Sequence, residues 1–362
     1  MTRSTIADVA RAAGVSKSTV SRVLNGSEPY MRAETRARVM RAIALLDYRP
    51  SQVARSLALK RSQTIGLLIS DISDPFFAEI ILGMESVAVA YGYDLFLCNT
   101  MYDTARGMRF VRSLADKQVD GVVVVTTSLE DTFVEELVRH QIPFVTLDWP
   151  ANVVKGRAGL ITVDFEAGIA AAVAHLAGLG HRSMVLVNGS PHLRTSHRKQ
   201  AAFVAALAAH GLGDMAAIVE VKNMRIDEGR QAFQSLWRRP EPRPTAVLAA
   251  NDMLAIGVQW AARNAGVSLP DDLSIVGFGD MPLASQISLP LTTIALARYE
   301  LGTSLMCMLL DLLRREADHD VDGDMNGGPD STPTQQVATQ LVVRKSTTFA
   351  PEVHTPPPEA HS

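Results

Sequence analysis

Cysteine is scarce in this chain, and other absences narrow its class further. Only Cys98 and Cys307 occur among 362 residues, which excludes a disulfide framework and a cysteine-based metal cluster. No apolar run approaches the ~20 residues that a membrane-spanning helix needs, and the amino-terminal segment has no signal-peptide core. We therefore expect a soluble protein of the cytoplasm.

Motifs of common enzyme classes are also missing. The chain has no GxGxxG or Walker loop, no GxSxG elbow and no HExxH pair. A metal site can be imagined in the acidic, Gly- and Pro-rich stretch 315–336, but we interpret this stretch as a solvated surface loop. Its candidate ligands would be His319, Asp320, Asp322 and Asp324. The sequence thus predicts no enzymatic activity, no cofactor and no metal.

The charge is unevenly spread along a chain of ordinary globular composition. Hydrophobic residues make up 47% and charged residues 20%, and the length suits two or three compact units. The net charge is −3, yet residues 1–61 carry 12 Lys and Arg against four Asp and Glu. A basic head on an acidic body indicates a polyanionic partner for the head. A solvated basic helical surface is the alternative reading.

The basic head begins with a predicted pair of short helices. Thr5 has the position of an N-cap, and Asp8 three residues later completes a capping box. Gly14 permits a left-handed turn, and Ser16 can cap a second helix over Lys17–Asn25. This spacing matches a helix-turn-helix that reads DNA. Its outward face carries Lys17, Ser18, Ser21, Arg22 and Asn25.

The whole head resembles a known family of regulators. The string TIADVARAAGVSKSTVSRVLNGSEPYMRAETRARVMRAIALLDYRPSQVARSLALKRSQTIG is similar to the headpiece and hinge of the lactose/galactose-repressor (LacI/GalR) family of bacterial transcription regulators. The resemblance implies a three-helix headpiece over residues 1–50, closed by a helix at 33–46. It also implies base contacts by Lys17, Ser18 and Arg22, and phosphate contacts by Thr5, Ser16, Ser21 and Asn25.

Residues 51–62 match the hinge of that family. The resemblance implies a helix that folds only on operator DNA, where Leu57, with Ala54 beside it, wedges into a minor-groove base step. Physically, a helix this short is marginal alone in water, so its folding can be coupled to binding. A plain linker with Leu57 packed on the body is the alternative. Because one headpiece reads half of a pseudo-palindromic operator, a homodimer is implied.

The acidic body alternates apolar strands with helices, which is typical of parallel, doubly wound sheets. Two series of strands predict two such sheets: 64–70, 93–99, 121–126, 143–147 and 160–163, then 183–189, 246–251, 273–279 and 291–296. The strings HLAGLGHRSMVLVNG and VGFGDMPLASQISLPLTTI resemble the core of the same family. That core is related to periplasmic sugar-binding proteins, with two α/β subdomains and a ligand between them. We expect it to span residues 63–346, with a disordered tail at 347–362.

Polar and aromatic residues that follow the predicted strands are the candidate effector contacts. Ligands of open α/β sheets bind beyond the carboxyl ends of strands, and carboxylates, amides, cations and aromatic faces suit a sugar. The candidates are Asp74, Phe76, Phe77, Asp148, Trp149, Arg198, Lys199, Asn251 and Asp280. The site is no copy of a familiar one, because Gly279 replaces a frequent acid and Lys199 a frequent Arg. Each candidate could equally have a structural role.

Together these observations predict a sequence-specific DNA-binding regulator, a repressor of transcription, associated with the nucleoid. A small-molecule effector, a sugar or alternatively a purine or another metabolite, would control its operator affinity. Two other classes compete: an enzyme on a doubly wound fold, for which no motif is present, and a transport-type binding protein, which needs no basic head. Induction and corepression both stay open.

Overall fold

The computed structural model describes residues 4–25, 31–48, 61–126, 132–213, 216–238, 243–322 and 332–351, with only the backbone at Asn25 and at 316–322. These residues form two compact units, Met1–Gln63 and Thr64–Ser362. Within the described ranges, no helix is long and apolar enough to cross a membrane.

The first unit contains three helices around a small apolar core. They are α1 (Ile6–Ala13), α2 (Lys17–Asn25) and α3 (Ala33–Leu45). The predicted capping box is present, since the backbone N–H of Thr5 donates to Asp8 Oδ2 at 3.0 Å and that of Asp8 to Thr5 Oγ1 at 3.4 Å. Gly14 ends α1 at φ 63°. The core is made by Val9, Ala10, Ala13, Val20, Val23, Val39 and Ala42.

The second unit contains two parallel sheets, each the centre of a subdomain. Strands β1, β3 and β4 of the first subdomain are buried along their whole length because helices cover both faces of the sheet. In chain order, this subdomain begins with β1 (Thr64–Ile69), α4 (Phe76–Ala90), β2 (Asp94–Asn99), α5 (Thr104–Asp116), β3 (Gly121–Val125), α6 (Thr132–Arg139), β4 (Phe144–Leu147) and β5 (Ala158–Val163).

The chain then crosses to the second subdomain. Its elements are α7 (Phe165–Gly178), β6 (Met184–Asn188), α8 (Arg194–Ala209), β7 (Ala217–Glu220), α9 (Ile226–Trp237), β8 (Ala246–Ala249), α10 (Asp252–Asn264), β9 (Ser274–Gly279), α11 (Pro282–Gln286) and β10 (Thr292–Leu296). The remaining elements are α12 (Arg298–Asp322), β11 (Thr334–Val337) and β12 (Thr339–Val342). Helix α12 and β11 return to the first subdomain, and β12 joins the second.

The strand orders are β11-β5-β4-β3-β1-β2 and β12-β10-β9-β8-β6-β7. All pairings are parallel except that of β12 with β10. Three chain crossings therefore connect the subdomains, so the ends of both sheets meet at one cleft. This is the doubly wound, two-subdomain architecture that the sequence predicted.

Three sequence predictions need correction. Strands β7, β11 and β12 were missed, because they are four-residue edge strands without a buried face, and β11 and β12 are rich in Thr and Gln. The predicted loop 315–336 is too long at both ends, since α12 continues to Asp322 and β11 begins at Thr334. The helix continues because the first Gly after Arg315 is Gly323. The predicted disordered tail at 347–362 begins too early, because Thr348 N–H donates to Ser274 Oγ at 3.0 Å and Ala350 N–H donates to Leu179 O at 2.8 Å. The part of the tail beyond residue 351 lies outside the described residues.

Candidate functional site

The outer face of α2 carries the side chains predicted to read DNA. Lys17, Ser18 and Arg22 are exposed and Ser21 is half-buried, whereas Val20 and Val23 on the opposite face are in the core. Thr5 and Ser16 lie at the amino-terminal ends of α1 and α2, where the helix dipole favours a phosphate. Asn25 ends α2, and its side chain is not described. The hinge candidates Ala54 and Leu57 lie outside the described residues.

A cavity of about 100 Å³ lies in the cleft between the two subdomains. It is bounded by the carboxyl ends of strands from both sheets, where ligands of such folds bind. Six of the nine predicted effector residues lie on its wall: Asp74, Phe76, Phe77, Asp148, Lys199 and Asn251. The wall is otherwise mainly apolar, with Phe165 and Phe278 among its larger side chains.

Three predicted residues are not on this wall. Trp149 is 2% exposed and packs in the core of the first subdomain, with the Arg194 guanidinium 5.1 Å from its ring. Arg198 donates to Asp148 at 2.8 Å and pairs with Glu166. Asp280 pairs with Arg344 at 2.7 Å. These three side chains pack or form ion pairs with residues that are distant in sequence and therefore do not face the cavity.

The polar groups of the wall differ in their remaining capacity to form hydrogen bonds with a ligand. Asn251 is occupied at both ends, since its carbonyl accepts from Leu254 N–H at 2.9 Å and its amide donates to Met224 O at 2.8 Å. Asp252, the next residue, also lies on the wall, and its carboxylate accepts from Met281 N–H at 2.7 Å and from the Thr293 hydroxyl at 2.5 Å. Both residues therefore shape the wall more than they offer atoms to a ligand.

Asp74 and Lys199 keep hydrogen-bonding capacity. One carboxylate oxygen of Asp74 accepts from Phe76 N–H at 2.9 Å, and the other has no partner among the described residues. The Lys199 ammonium makes one hydrogen bond, to Ala250 O at 2.7 Å, and lies over the rings of Phe278 and Phe165. The first subdomain thus offers a carboxylate to the cavity and the second an ammonium.

Two hydroxyls on the wall were missed by the sequence analysis. Thr126 is 5% exposed, and its Oγ1 is buried without a partner in the part of the chain that the structure describes. The hydroxyl of Thr195, in the first turn of α8, also makes no hydrogen bond to a described residue. Thr126 directly follows the apolar run of β3, so its position at a strand end was the available signal.

Burial changes the ionisation of this site. It lowers the pKa of Lys199 to about 8, although the carboxylates of Asp148, Asp74 and Asp252 oppose this shift. It raises the pKa of Asp148 to about 6 against the hydrogen bond from Val163 N–H and the charge of Arg198. Burial also raises the pKa of Asp74. At neutral pH, Lys199 is therefore charged and Asp148 is mainly ionised.

Polar contacts join the two subdomains around the cavity. Arg225 at the start of α9 donates to Asp71 after β1 at 2.6 Å. Buried Arg298, at the start of α12, pairs with Glu79 of α4 at 2.8 Å and donates to the carbonyls of Gly279 and Asp280 after β9. No group of three or more potential metal ligands occurs among the described side chains.

Comparison with known proteins places the chain in a family. A model described as bacterial regulatory proteins, lacI family, matches residues 5–51, and one described as a periplasmic binding protein-like domain matches residues 173–347. Catabolite control protein A of Priestia megaterium is 33% identical over 86% of this chain and 93% of its own. The chain belongs to the lacI family. As a lacI-family member it is a DNA-binding transcriptional repressor and not an enzyme.

Other lacI-family proteins are similar over most of their length. The ribose operon repressor of Halalkalibacterium halodurans is 35% identical over 95% of this chain and 97% of its own. The repressor PurR of Vibrio campbellii is 35% identical over 86% of this chain and 92% of its own. The lac repressor dimer bound to operator and the anti-inducer ONPF is 28% identical, with a TM-score of 0.82 over 96% of this chain and all of that chain. A lacI-family regulator of Enterococcus faecium with bound ribose is 26% identical, with a TM-score of 0.67 over 79% of this chain and 99% of that chain.

Proposed function

We propose that a small sugar, bound in the cleft between the two subdomains, controls the operator affinity of this repressor. The observation that carries the proposal is a pair of charged groups that keep hydrogen-bonding capacity on a mainly apolar wall, the Asp74 carboxylate and the Lys199 ammonium. Each hydroxyl of a sugar can donate to the carboxylate and accept from the ammonium. The faces of Phe76 and Phe165 suit the apolar side of a sugar ring.

The size of the cavity supports a monosaccharide. The cavity of about 100 Å³ is smaller than the neighbouring cavities of about 440 Å³ and 270 Å³. A single sugar ring suits it better than a disaccharide does. Ribose bound to the Enterococcus faecium regulator, 26% identical to this chain, supports the same class.

A purine is the second candidate, and one observation favours it. Four phenylalanines line the cavity, Phe76, Phe77, Phe165 and Phe278, and flat apolar rings can stack against them. The relative named PurR is as similar in sequence as the ribose operon repressor. A purine leaves fewer donors for the Asp74 carboxylate than a sugar does, so we place the sugar first.

The DNA-binding half of the proposal rests on the first unit. We expect Lys17, Ser18 and Arg22 to contact base edges, and we expect phosphate contacts at the amino-terminal ends of α1 and α2 and further along α2. The phosphate set is Thr5, Ser16, Ser21 and Asn25, and the hinge set is Ala54 and Leu57. Effector binding would change the closure of the cleft and thereby the spacing of the two hinges in a dimer.

The exposed apolar side chains of the first subdomain indicate where a second copy docks. Leu82 and Val89 on α4 are 55% and 68% exposed, and Phe96 on edge strand β2 is 48% exposed. Burying such a patch against its symmetry mate is the usual basis of a two-fold dimer. We expect Val89→Glu to produce monomers in sedimentation, whereas an unchanged dimer would place the interface elsewhere.

The effector proposal is tested by calorimetry with pentoses, hexoses, disaccharides and purines. Asp74→Asn should weaken binding of the active sugar by about 1–3 kcal/mol, because a neutral amide offers one acceptor fewer to its hydroxyls. The exposed Asp116→Asn is the matched control and should leave the affinity unchanged. Operator binding by the effector-free variants should equal that of the parent. A purine that binds where every sugar fails would promote the second candidate.

A further inference from the structure

The turn between β2 and α5 has an unusual backbone. The N–H of Asp103 donates to Thr100 O at 3.1 Å, and the two residues between them, Met101 and Tyr102, have φ values of 55° and 58°. Turns with two left-handed central residues normally contain Gly or Asn, because other side chains crowd the backbone there. Strain of this kind persists where the surrounding structure requires it, often at a ligand site.

Tyr102 lies where three cavities meet. It lines the effector cavity, a second cavity of about 440 Å³ and a third of about 270 Å³, and it is the one described residue shared by all three. Thr126 and Leu193 also line both the first and the second cavity. Tyr102, Thr126 and Leu193 therefore lie on the boundary between these two cavities.

We propose that Tyr102 determines the size of the effector by closing the effector cavity against the second cavity. This inference rests on the proposed sugar-binding function and goes beyond it to the residue that limits the ligand. The strained turn presents a large ring at the boundary, a position that a relaxed turn with Gly would leave open. A ligand longer than one sugar ring then meets the phenol instead of free space.

The environment of the phenol suits this role. Its hydroxyl makes no hydrogen bond to a described residue. Tyr102 is 37% exposed, yet partial burial raises the pKa of its hydroxyl, and the nearby carboxylates of Asp74 and Asp71 raise this pKa further. The group is therefore a neutral hydroxyl at physiological pH. It can hydrogen-bond the rim of a bound sugar while its ring blocks further extension. The unpartnered Thr126 Oγ1 at the same boundary is a second group available to that rim.

The second cavity has the chemistry of a further sugar subsite. Its wall carries the polar side chains of Asp103, Asn223, His192 and Lys222, with Phe133 and Met101 as apolar surfaces. No hydrogen bond to a described residue engages the side chains of Asn223 or Lys222. Removing the Tyr102 ring should join this polar space to the effector cavity and admit a second ring.

The test compares Tyr102→Ala, Tyr102→Gly and Tyr102→Phe with the parent. Tyr102→Gly suits the left-handed backbone and keeps the test valid if Tyr102→Ala folds poorly. Calorimetry uses paired probes: ribose and glucose against cellobiose, and hypoxanthine against inosine. We expect the Ala and Gly variants to shift the preference toward the larger member of the active pair by at least tenfold. The Phe variant, which keeps the ring, should retain the preference of the parent.

A size preference that changes less than threefold in both small variants would overturn the proposal. Crystal structures of the ligand-free parent and of Tyr102→Gly give a readout that is independent of the effector class. The two cavities should be continuous in the variant, and a wall that remains closed would also overturn the proposal. If no sugar binds the parent but the cavities merge, the sugar assignment fails while the role of Tyr102 stands.

Discussion

The contact between Arg225 and Asp71 offers the sharpest test of how the cleft is held closed. Arg225 donates to Asp71 Oδ2 at 2.6 Å and to the Ser73 hydroxyl at 3.0 Å, and thereby joins the second subdomain to the first. Burial opposes the ionisation of Asp71, but the hydrogen bonds from Arg225 and Ser73 outweigh it and lower the pKa of this carboxyl. We expect Arg225→Gln to favour the open cleft.

The magnitude follows from the exposure of the two side chains. The Arg225 side chain is 55% exposed and that of Asp71 only 7%. Exposed ion pairs contribute about 0.2–1 kcal/mol because water and salt screen them, and removal of a partner from a buried carboxylate costs more. Asp71 keeps its hydrogen bonds from Ser73, so we expect a loss of about 1 kcal/mol. Since 1.4 kcal/mol is tenfold, the closed-to-open ratio should fall roughly fivefold.

Effector affinity reports this change, because a ligand that binds the closed cleft must first populate it. For an effector-free protein in which the closed cleft is the minor form, calorimetry should give an affinity about fivefold weaker for Arg225→Gln, and salt should reduce the difference. Combining this change with Asp71→Asn should add little, because both remove the same contact. Arg238→Gln is the control, since Arg238 is exposed at the far end of α9. An affinity within twofold of the parent, or full additivity with Asp71→Asn, would refute this account.

Three further predictions concern DNA binding and stability. Arg22→Ala should weaken operator binding by about 1–3 kcal/mol and reduce sequence preference in gel shifts. Arg38→Ala, at an exposed position of α3, is the control and should do neither. Equal losses on operator and random DNA would reassign Arg22 to a phosphate contact. Gly83→Ala should destabilise the core by about 1–3 kcal/mol in urea unfolding, because the added methyl group would overlap a main-chain carbonyl of α12. Gly178→Ala is the control and should be neutral or slightly stabilising, because open space surrounds Gly178. Burial lowers the pKa of His181 in the folded protein. Below the ordinary histidine pKa of about 6.5, the unfolded chain therefore binds more protons at this residue than the folded protein does. The free energy of unfolding should consequently fall as the pH drops through that value. His181→Gln should flatten this dependence, and an unchanged slope would assign it to other groups.

Much of the fold could be predicted because its signals are local or periodic. The alternation of buried strands such as β1 and β3 with helices indicated two parallel sheets. The missed strands β7, β11 and β12 have no buried face, so hydrophobic periodicity carried no signal for them. They belong to the sheets through hydrogen bonds to partners that are distant in sequence.

The candidate site was predictable only as a set of positions. Strand ends indicated Asp148, Trp149 and Lys199 alike, since all three follow or face the ends of strands. The fold places Lys199 on the cavity wall, packs Trp149 into a subdomain core, and pairs Asp148 with Arg198 at 2.8 Å. Tyr102 left no signal, because the turn that holds it contains neither Gly nor Asn between Thr100 and Asp103.

The sequence by itself determined the three-helix headpiece, because the capping box of Thr5 and Asp8, the turn at Gly14 and the apolar spacing of α2 all act within a few residues. It also determined the parallel architecture of the core, through strands whose apolar character requires burial on both faces. Only the tertiary structure decided which polar groups remain available to a ligand. A carboxylate or an amide is free or occupied according to neighbours that the three crossings between the subdomains bring to it, and those neighbours lie far away in the chain.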